Sequence, residues 1–267
     1  MTTVTGANVT LSGSVRTASS DIIGIAARNL RGIQRRPRLL IFSSVQPVMF
    51  VLLFRYVFGG AIRETTMPYV DFLLPGIFVQ VSIFGGSATA VGLAEDLNAG
   101  VIDRFRTLPM ARTAVLAGRT LADLVRNVLV LALMIAMGTL LGFRFHGTVP
   151  SILTALLLVL AFGYAFSWVF AAIGLAVRDP ETAQVAGFLM VFPLVFASSV
   201  FVPVATMPGW LQAYAKNQPI SVTVDAVRAL TSGTAAGGYP WQSLAWIAGI
   251  LTVFISFSAW QYSRTSA

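Results

Sequence analysis

Cysteine is absent from the chain, so no disulfide framework and no thiolate metal site can form. A single histidine, His146, excludes multi-histidine zinc motifs of the HExxH kind. Lysine occurs once, at Lys216, preceded by Tyr214 and Ala215. The chain therefore has no GxxxxGK[ST] phosphate loop and cannot hydrolyse ATP by that machinery. Charge is scarce as well: Asp, Glu, Lys and Arg make up 10% of the 267 residues, while 56% are hydrophobic. A soluble domain carries about 25% charged residues. This chain has too little charge to cover a water-facing surface, and its long low-charge runs belong in a bilayer. The net charge of +8 does not point to nucleic acid. The arginines stand beside the apolar runs, where anionic lipid headgroups would meet them.

Six runs approach the roughly 20 apolar residues needed to cross a membrane. They cover residues 39–58, 72–93, 121–143, 152–177, 183–204 and 241–262. The expected fold is an all-α membrane protein with six transmembrane helices. Threading the chain through six spans puts 13 of the 18 basic residues on one side. Arginine-rich loops stay in the cytoplasm, so both termini are expected inside and the protein is expected as a multi-pass protein of the cell membrane. Residues 1–20 are rich in Thr, Ser and Gly, without the apolar core of a signal peptide. They read as a disordered cytoplasmic tail, and residues 264–267 as a second, short one. No acid falls at the centre of a predicted span. That argues against a self-powered carrier, which keeps ionisable groups at mid-membrane. Asp123 and Arg126, three residues apart near the start of the third run, read either as an ion pair or as a hinge or substrate contact. Ser87 has no base, because His146 belongs to the opposite membrane face.

The segments between spans carry most of the information. Residues 21–37 place Ile22, Ile25, Leu30 and Ile33 near helical spacing, with Arg28, Arg31, Arg35 and Arg36 on the polar side and at the end. This is the pattern of a basic amphipathic helix lying in the interface, either as a surface anchor or as an elbow that also contacts another subunit. Residues 95–112, EDLNAGVIDRFRTLPMAR, form a charged island within the loop expected at 93–122. Glu95, Asp96, Asp103, Arg104, Arg106 and Arg112 alternate with apolar Phe105 and its neighbours, Gly100 can end one short helix, and Pro109 breaks the run. A loop that only meets water needs no such apolar residues, so the island reads either as a loop helix packed on its own bundle or as a coupling helix inserted into a groove of a partner. On the outer side, Pro208 and Trp210 open one short helix, and Pro219 occupies the first turn of another that ends at Gly233. These helices are too short to span. They suit a re-entrant cap or gate, with Asp225 and Arg228 expected off the apolar face.

Two ladders of small residues stand at four-residue spacing: Ser82, Gly86, Ala90 and Ala94, and Gly163, Ser167 and Ala171. Such ladders allow helices to approach closely, within a chain or between two chains. Phe188, Phe192 and Phe196 form an aromatic stripe. With Phe78, Ser82, Phe84 and Gly86 they are the candidates for a substrate path or a dimer seam.

The motif at residues 95–112 resembles the cytoplasmic loop of type-2 ABC exporter permeases, in particular the daunorubicin-resistance (Drr-like) family. Asp103-Arg104-Phe105-Arg106 followed by Leu108-Pro109-Met110 is its most specific part, and the outer stretch PVATMPGWLQAYAKNQPISVTVDAVRAL is similar to that family as well. The resemblance covers residues 22–262. It implies a permease domain over residues 38–263, preceded by an elbow helix. It also implies a coupling helix between spans two and three, and re-entrant helices between spans five and six. It further implies a second permease chain, identical or homologous, and two ATPase subunits that carry ATP and Mg, with no cofactor and no catalytic or metal-binding residue in this chain itself. The function it implies is ATP-driven export of a hydrophobic or amphipathic drug or lipid-like molecule. A self-contained carrier or channel is the alternative.

Overall fold

The computed structural model describes residues 37–58, 67–99 and 114–264. All regular structure among them is helical. Helix α1, Pro37–Leu53, runs into a π-helical turn, Phe54–Phe58. Helices α2, Tyr69–Gly85, and α3, Ser87–Asn98, form one 30-residue rod with a step at Gly86. Then follow α4, Ala114–Leu140; α5, Val149–Val177; and α6, Pro180–Phe196. Two short helices, α7, Gly209–Asn217, and α8, Pro219–Ser232, precede α9, Tyr239–Arg264. Among the described residues, four helical stretches are long and apolar enough to cross a membrane: Tyr69–Asn98, Leu116–Leu140, Val149–Val177 and Tyr239–Gln261. Two further apolar stretches, Val45–Val57 and Pro180–Phe196, are shorter. The chain is a multi-pass membrane protein, all-helical among the described residues. The elbow segment with Arg28, Arg31, Arg35 and Arg36 lies outside the described residues. So do Gly100, Asp103, Arg104, Phe105, Arg106, Pro109 and Arg112.

The helix ends follow their sequence signals. Asp179 caps α6 by accepting from the Thr182 N–H at 2.8 Å, with Pro180 in the first turn. Pro219 starts α8, and Gly233, at φ 74, ends it in the left-handed conformation that glycine adopts without strain.

Three expectations change. The cytoplasmic loop read at 93–122 is helical at both ends, because α3 continues to Asn98 and α4 begins at Ala114. The reason is packing: Leu93 and Leu116 are buried together with Trp168 and Leu175, and Leu97 leans on that cluster. Asp123 consequently stands inside a 27-residue helix rather than at a helix start. The fifth run is helical only to Phe196 rather than to residue 204. Its last turn is closed from outside, where the Gln218 amide donates to the carbonyls of Leu194 at 3.1 Å and Ala197 at 2.6 Å. Beyond it the chain turns, held by the Tyr69 hydroxyl donating to the Phe201 carbonyl at 2.9 Å. Finally, Arg228 is not off the buried face of α8. It is 8% exposed, on a helix buried almost all round.

Helix α5 is the hub, touching α2, α3, α4, α6, α8 and α9. The two small-residue ladders meet each other here, within one chain. A methyl group at Gly163 would stand 2.8 Å from the Ser82 Cβ; one at Gly86 would stand 2.7 Å from the Phe170 ring; one at Gly174 would stand 2.5 Å from the Ala90 carbonyl oxygen. Only hydrogen fits at these crossings. In lipid no hydrophobic force joins helices, so this close approach and its dispersion contacts are what bind the α2/α3 rod to α5. Helix α9 is the most exposed of the long helices, presenting Trp241, Val253, Phe257 and Trp260 outward. Trp241 and Trp260 are separated by about 28 Å of helix rise, close to the ~30 Å hydrocarbon thickness that aromatic belts bracket.

Candidate functional site

Two facing helices, the α2/α3 rod and α4, are joined by a seam of polar contacts. Arg119 donates to Asp96 at 2.6 Å. One turn or more along, Thr89 donates to Asp123, which pairs with Arg126 at 3.1 Å. Arg126 also donates to the Gly85 carbonyl, and Asn127 donates to the Ser82 carbonyl at 3.1 Å. From Ser82 to Asp96 the seam covers about 21 Å of helix. The small residues make it possible: Arg119 crosses over Gly92, and Asn127 lies against Gly85, where a side chain would collide. Each interhelical hydrogen bond in a membrane contributes only about 0.6 kcal/mol on average. What the series adds is register. Sliding α4 along the rod by one turn would break every contact between the two helices at once and leave Asp123 and Arg126 with only each other.

At the Asn127 end of the seam lies a cavity of about 650 Å³. Helix α1 contributes Gln46, Pro47 and Phe50; the rod contributes Gln80, Phe84 and Val91; α4 contributes Arg126, Asn127 and Val130; α6 contributes Gln184, Val185 and Phe188. The wall is mainly apolar, with a few converging polar groups, as small-molecule pockets are built. From Phe84 an aromatic run leaves the cavity. Phe84 and Phe188 have ring centroids 6.0 Å apart, Phe188 and Phe192 4.8 Å, Phe192 and Phe196 4.2 Å, Phe196 and Phe201 5.0 Å, and Phe201 and Phe54 4.3 Å.

On the other side of the bundle, α8 is pinned to α2. The Arg228 guanidinium donates to the Phe72 carbonyl at 3.0 Å, to Asp225 at 2.7 Å and to the Ser199 carbonyl at 2.7 Å. It lies 3.7 Å from the centre of the Phe72 ring, where the ring's negative face attracts a cation. Ser199 donates to Asp225 at 2.9 Å.

The residues singled out in the sequence fall into separate places. Glu95 is exposed at the end of α3, and Asp96 beside it is held by Arg119. Phe84 and Phe188 line the cavity, and Phe192 and Phe196 continue from it. Phe78, Ser82 and Gly86 are buried within the chain: Phe78 is in the core, and Ser82 and Gly86 lie in the seam with α5, so their surfaces are used up by this chain's own packing. Pro208 and Trp210 stand exposed at the start of α7, and Pro219 opens α8.

The profile of the ABC-2 type transporter family matches residues 21–231, most of the chain. The chain belongs to the ABC-2 type transporter family. Among relatives of this ABC-2 permease, the daunorubicin resistance ABC transporter permease protein DrrB1 of Streptomyces coeruleorubidus is 38% identical over 240 residues, covering 90% of this chain and 85% of the relative. The probable doxorubicin resistance ABC transporter permease protein DrrC of Mycobacterium tuberculosis is 28% identical over 230 residues, covering 85% and 82%. The doxorubicin resistance ABC transporter permease protein DrrB of the same species is 26% identical over 195 residues, covering 73% and 68%.

Sequence reasoning missed Gln80 and Asn127 in this permease, and left the role of Arg126 open. The signal for Gln80 was present: it is the one amide within the apolar run FLLPGIFVQVSIF, and a polar side chain inside a span is expensive unless it has a use.

Proposed function

We propose that the chain is the membrane subunit of an ATP-driven exporter, crossing the membrane six times with both termini in the cytoplasm. It pairs with a second permease chain and with two ATPase subunits that hold ATP and Mg. The cargo is a hydrophobic or amphipathic molecule, of the drug or lipid-like class, entering from the bilayer. The observation that carries this reading is the cavity joined to the polar seam. The seam starts at Asp96, the last described carboxylate of the charged segment, and ends at Arg126 and Asn127 in the cavity wall. A push on residues 95–112 is thus delivered to the rod and α4 as one body, and the cavity between that body, α1 and α6 changes shape. The two states differ in ATPase contact, which is what drives the change. The exposed aromatic faces of Phe188 and Phe196 give a greasy cargo a continuous surface on the way out. The names of the relatives support drug export.

The test is reconstitution in liposomes with and without a candidate ATPase, following efflux of an amphipathic fluorescent dye. Efflux that needs ATP and both proteins is expected. Transport by this chain alone would establish a self-contained carrier instead, and a folded, ATP-hydrolysing complex that moves no dye would remove the drug-like cargo.

A further inference from the structure

Helix α1 and its π-helical turn expose Met49, Leu53 and Tyr56, while Val51 is buried and Arg55 half-buried. About 27 Å of helix rise separate Arg55 from Pro37, so Arg55 stands at the membrane interface opposite the one where α1 begins. Its guanidinium lies against the turn that joins α4 to α5: a methyl group at Gly142 would stand 3.9 Å from Nη1 and 4.0 Å from Nη2. The dipole at the C-terminal end of α4 favours a cation here, yet Nη1 is buried with no hydrogen-bond partner. Of the three guanidinium nitrogens, Nη1 alone is enclosed in this way. Arg144 follows Gly142 by two residues, at most about 7 Å of chain, and is exposed. The carboxylates are engaged elsewhere. Asp71 accepts from the Arg144 N–H at 3.3 Å, and among the described residues it forms no ion pair with either arginine. Asp96, Asp123 and Asp225 pair with Arg119, Arg126 and Arg228. Arg55 and Arg144 against Asp71 leave the turn net positive. Exposed apolar groups flank it: Val57, Leu140, and Tyr56, whose ring centre is 5.4 Å from the Arg55 guanidinium carbon.

We propose that Arg55 and Arg144 hold the phosphate of an anionic phospholipid, of the phosphatidylglycerol class, where α1 ends beside the turn between α4 and α5. A cation on the inner face of a membrane helix is costly without an anion, and basic pockets between spans take acidic headgroups. The nitrogens on the open side of the Arg55 guanidinium donate to the phosphate oxygens, which its planar fork fits. Arg144 adds charge from the exposed side. The acyl chains lie along Tyr56, Val57 and Leu140. Free phosphate would leave those apolar groups unused, and a choline headgroup would bring a cation to a positive turn. The site stands apart from the exporter reading and holds whichever way the chain is oriented in the membrane.

The full chain, stripped of lipid in a neutral detergent, is titrated with dioctanoyl phosphatidylglycerol, dioctanoyl phosphatidylcholine or inorganic phosphate, and bound molecules are counted by native mass spectrometry. Phosphatidylglycerol is expected to bind more tightly than phosphatidylcholine. Arg55→Gln and Arg144→Gln should each weaken phosphatidylglycerol about fivefold and leave phosphatidylcholine unchanged. Arg178→Gln removes the same charge from an exposed position at the far end of α5 and should bind as the wild type does. Arg144 is exposed, so its variant keeps the test open if Arg55→Gln does not fold. Equal binding of the two lipids by the wild type, an equal loss in Arg178→Gln, or complete displacement of phosphatidylglycerol by equimolar phosphate would overturn the assignment. So would a preference that emerges only in Glu64→Gln, because that acid, outside the described residues, would then be the group that neutralises the arginines.

Discussion

Gly174→Ala tests the close backbone contact that binds the α2/α3 rod to α5. The added Cβ would stand 2.5 Å from the Ala90 carbonyl oxygen and 2.9 Å from the Ala90 Cα. Both are backbone atoms, so no rotamer change relieves the overlap. An ordinary carbon–oxygen contact needs about 3.4 Å, so the rod and α5 must separate by close to 1 Å, or α5 must twist. Either loosens the neighbouring crossings at Gly86 and Gly163, which depend on the same axis spacing. Overpacking of this kind costs about 1 to 3 kcal/mol. The upper half of that range applies, because backbone rather than side chain is struck. Gly249→Ala is the matched control, since it too lies inside a helix, and nothing stands within 4 Å of its added carbon. It should leave stability unchanged or raise it by up to about 1 kcal/mol through helix propensity. The assay is reversible unfolding of the purified full chain in mixed micelles, read as the denaturing-detergent fraction at the midpoint. A Gly174→Ala protein that unfolds at the same midpoint as the Gly249→Ala protein would refute close backbone contact as the bond between the rod and α5.

Further outcomes follow from the same contacts. Arg228→Met should destabilise by about 1.5 to 3 kcal/mol, because it removes the guanidinium that pairs with half-buried Asp225 and leaves that carboxylate only the Ser199 hydroxyl. The double change with Asp225→Leu should recover most of that loss in the same unfolding assay. Charge reversal at Asp103 or Arg104 should uncouple ATP turnover from dye efflux in reconstituted liposomes without reducing membrane insertion, and unchanged efflux would remove the coupling role of the loop. Hydrogen bonds from Thr182 hold the Asp179 carboxyl below its ordinary range. A carboxyl so lowered contributes stability above the unfolded value of about 3.9 and loses it as pH falls through the folded value. The stability difference between wild type and Asp179→Asn should therefore be constant from about pH 8 to pH 5 and shrink only below about pH 4.

The amino-acid order determined the elements and their punctuation. Long apolar runs with almost no charge can only be helices in a membrane, because unpaired backbone groups are too costly in lipid. Asp179 with Pro180, Pro219 and Gly233 then mark where helices start and stop, since each signal is a local matter of backbone dihedrals and nearby N–H groups. The small-residue ladders were legible for the same reason, as a four-residue repeat. What they pack against was not. In a soluble protein the apolar stripe of a helix points to the core, but here lipid and core are equally apolar, so hydropathy cannot tell an inward face from an outward one. Only the tertiary structure decided that Gly163 meets Ser82 while Leu157 and Leu189 stay exposed. It also decided that Arg228 is buried on Phe72 and that α3 and α4 extend toward each other past the expected span ends. The cavity depends on it most of all. Its wall comes from α1, the rod, α4 and α6, segments far apart in sequence.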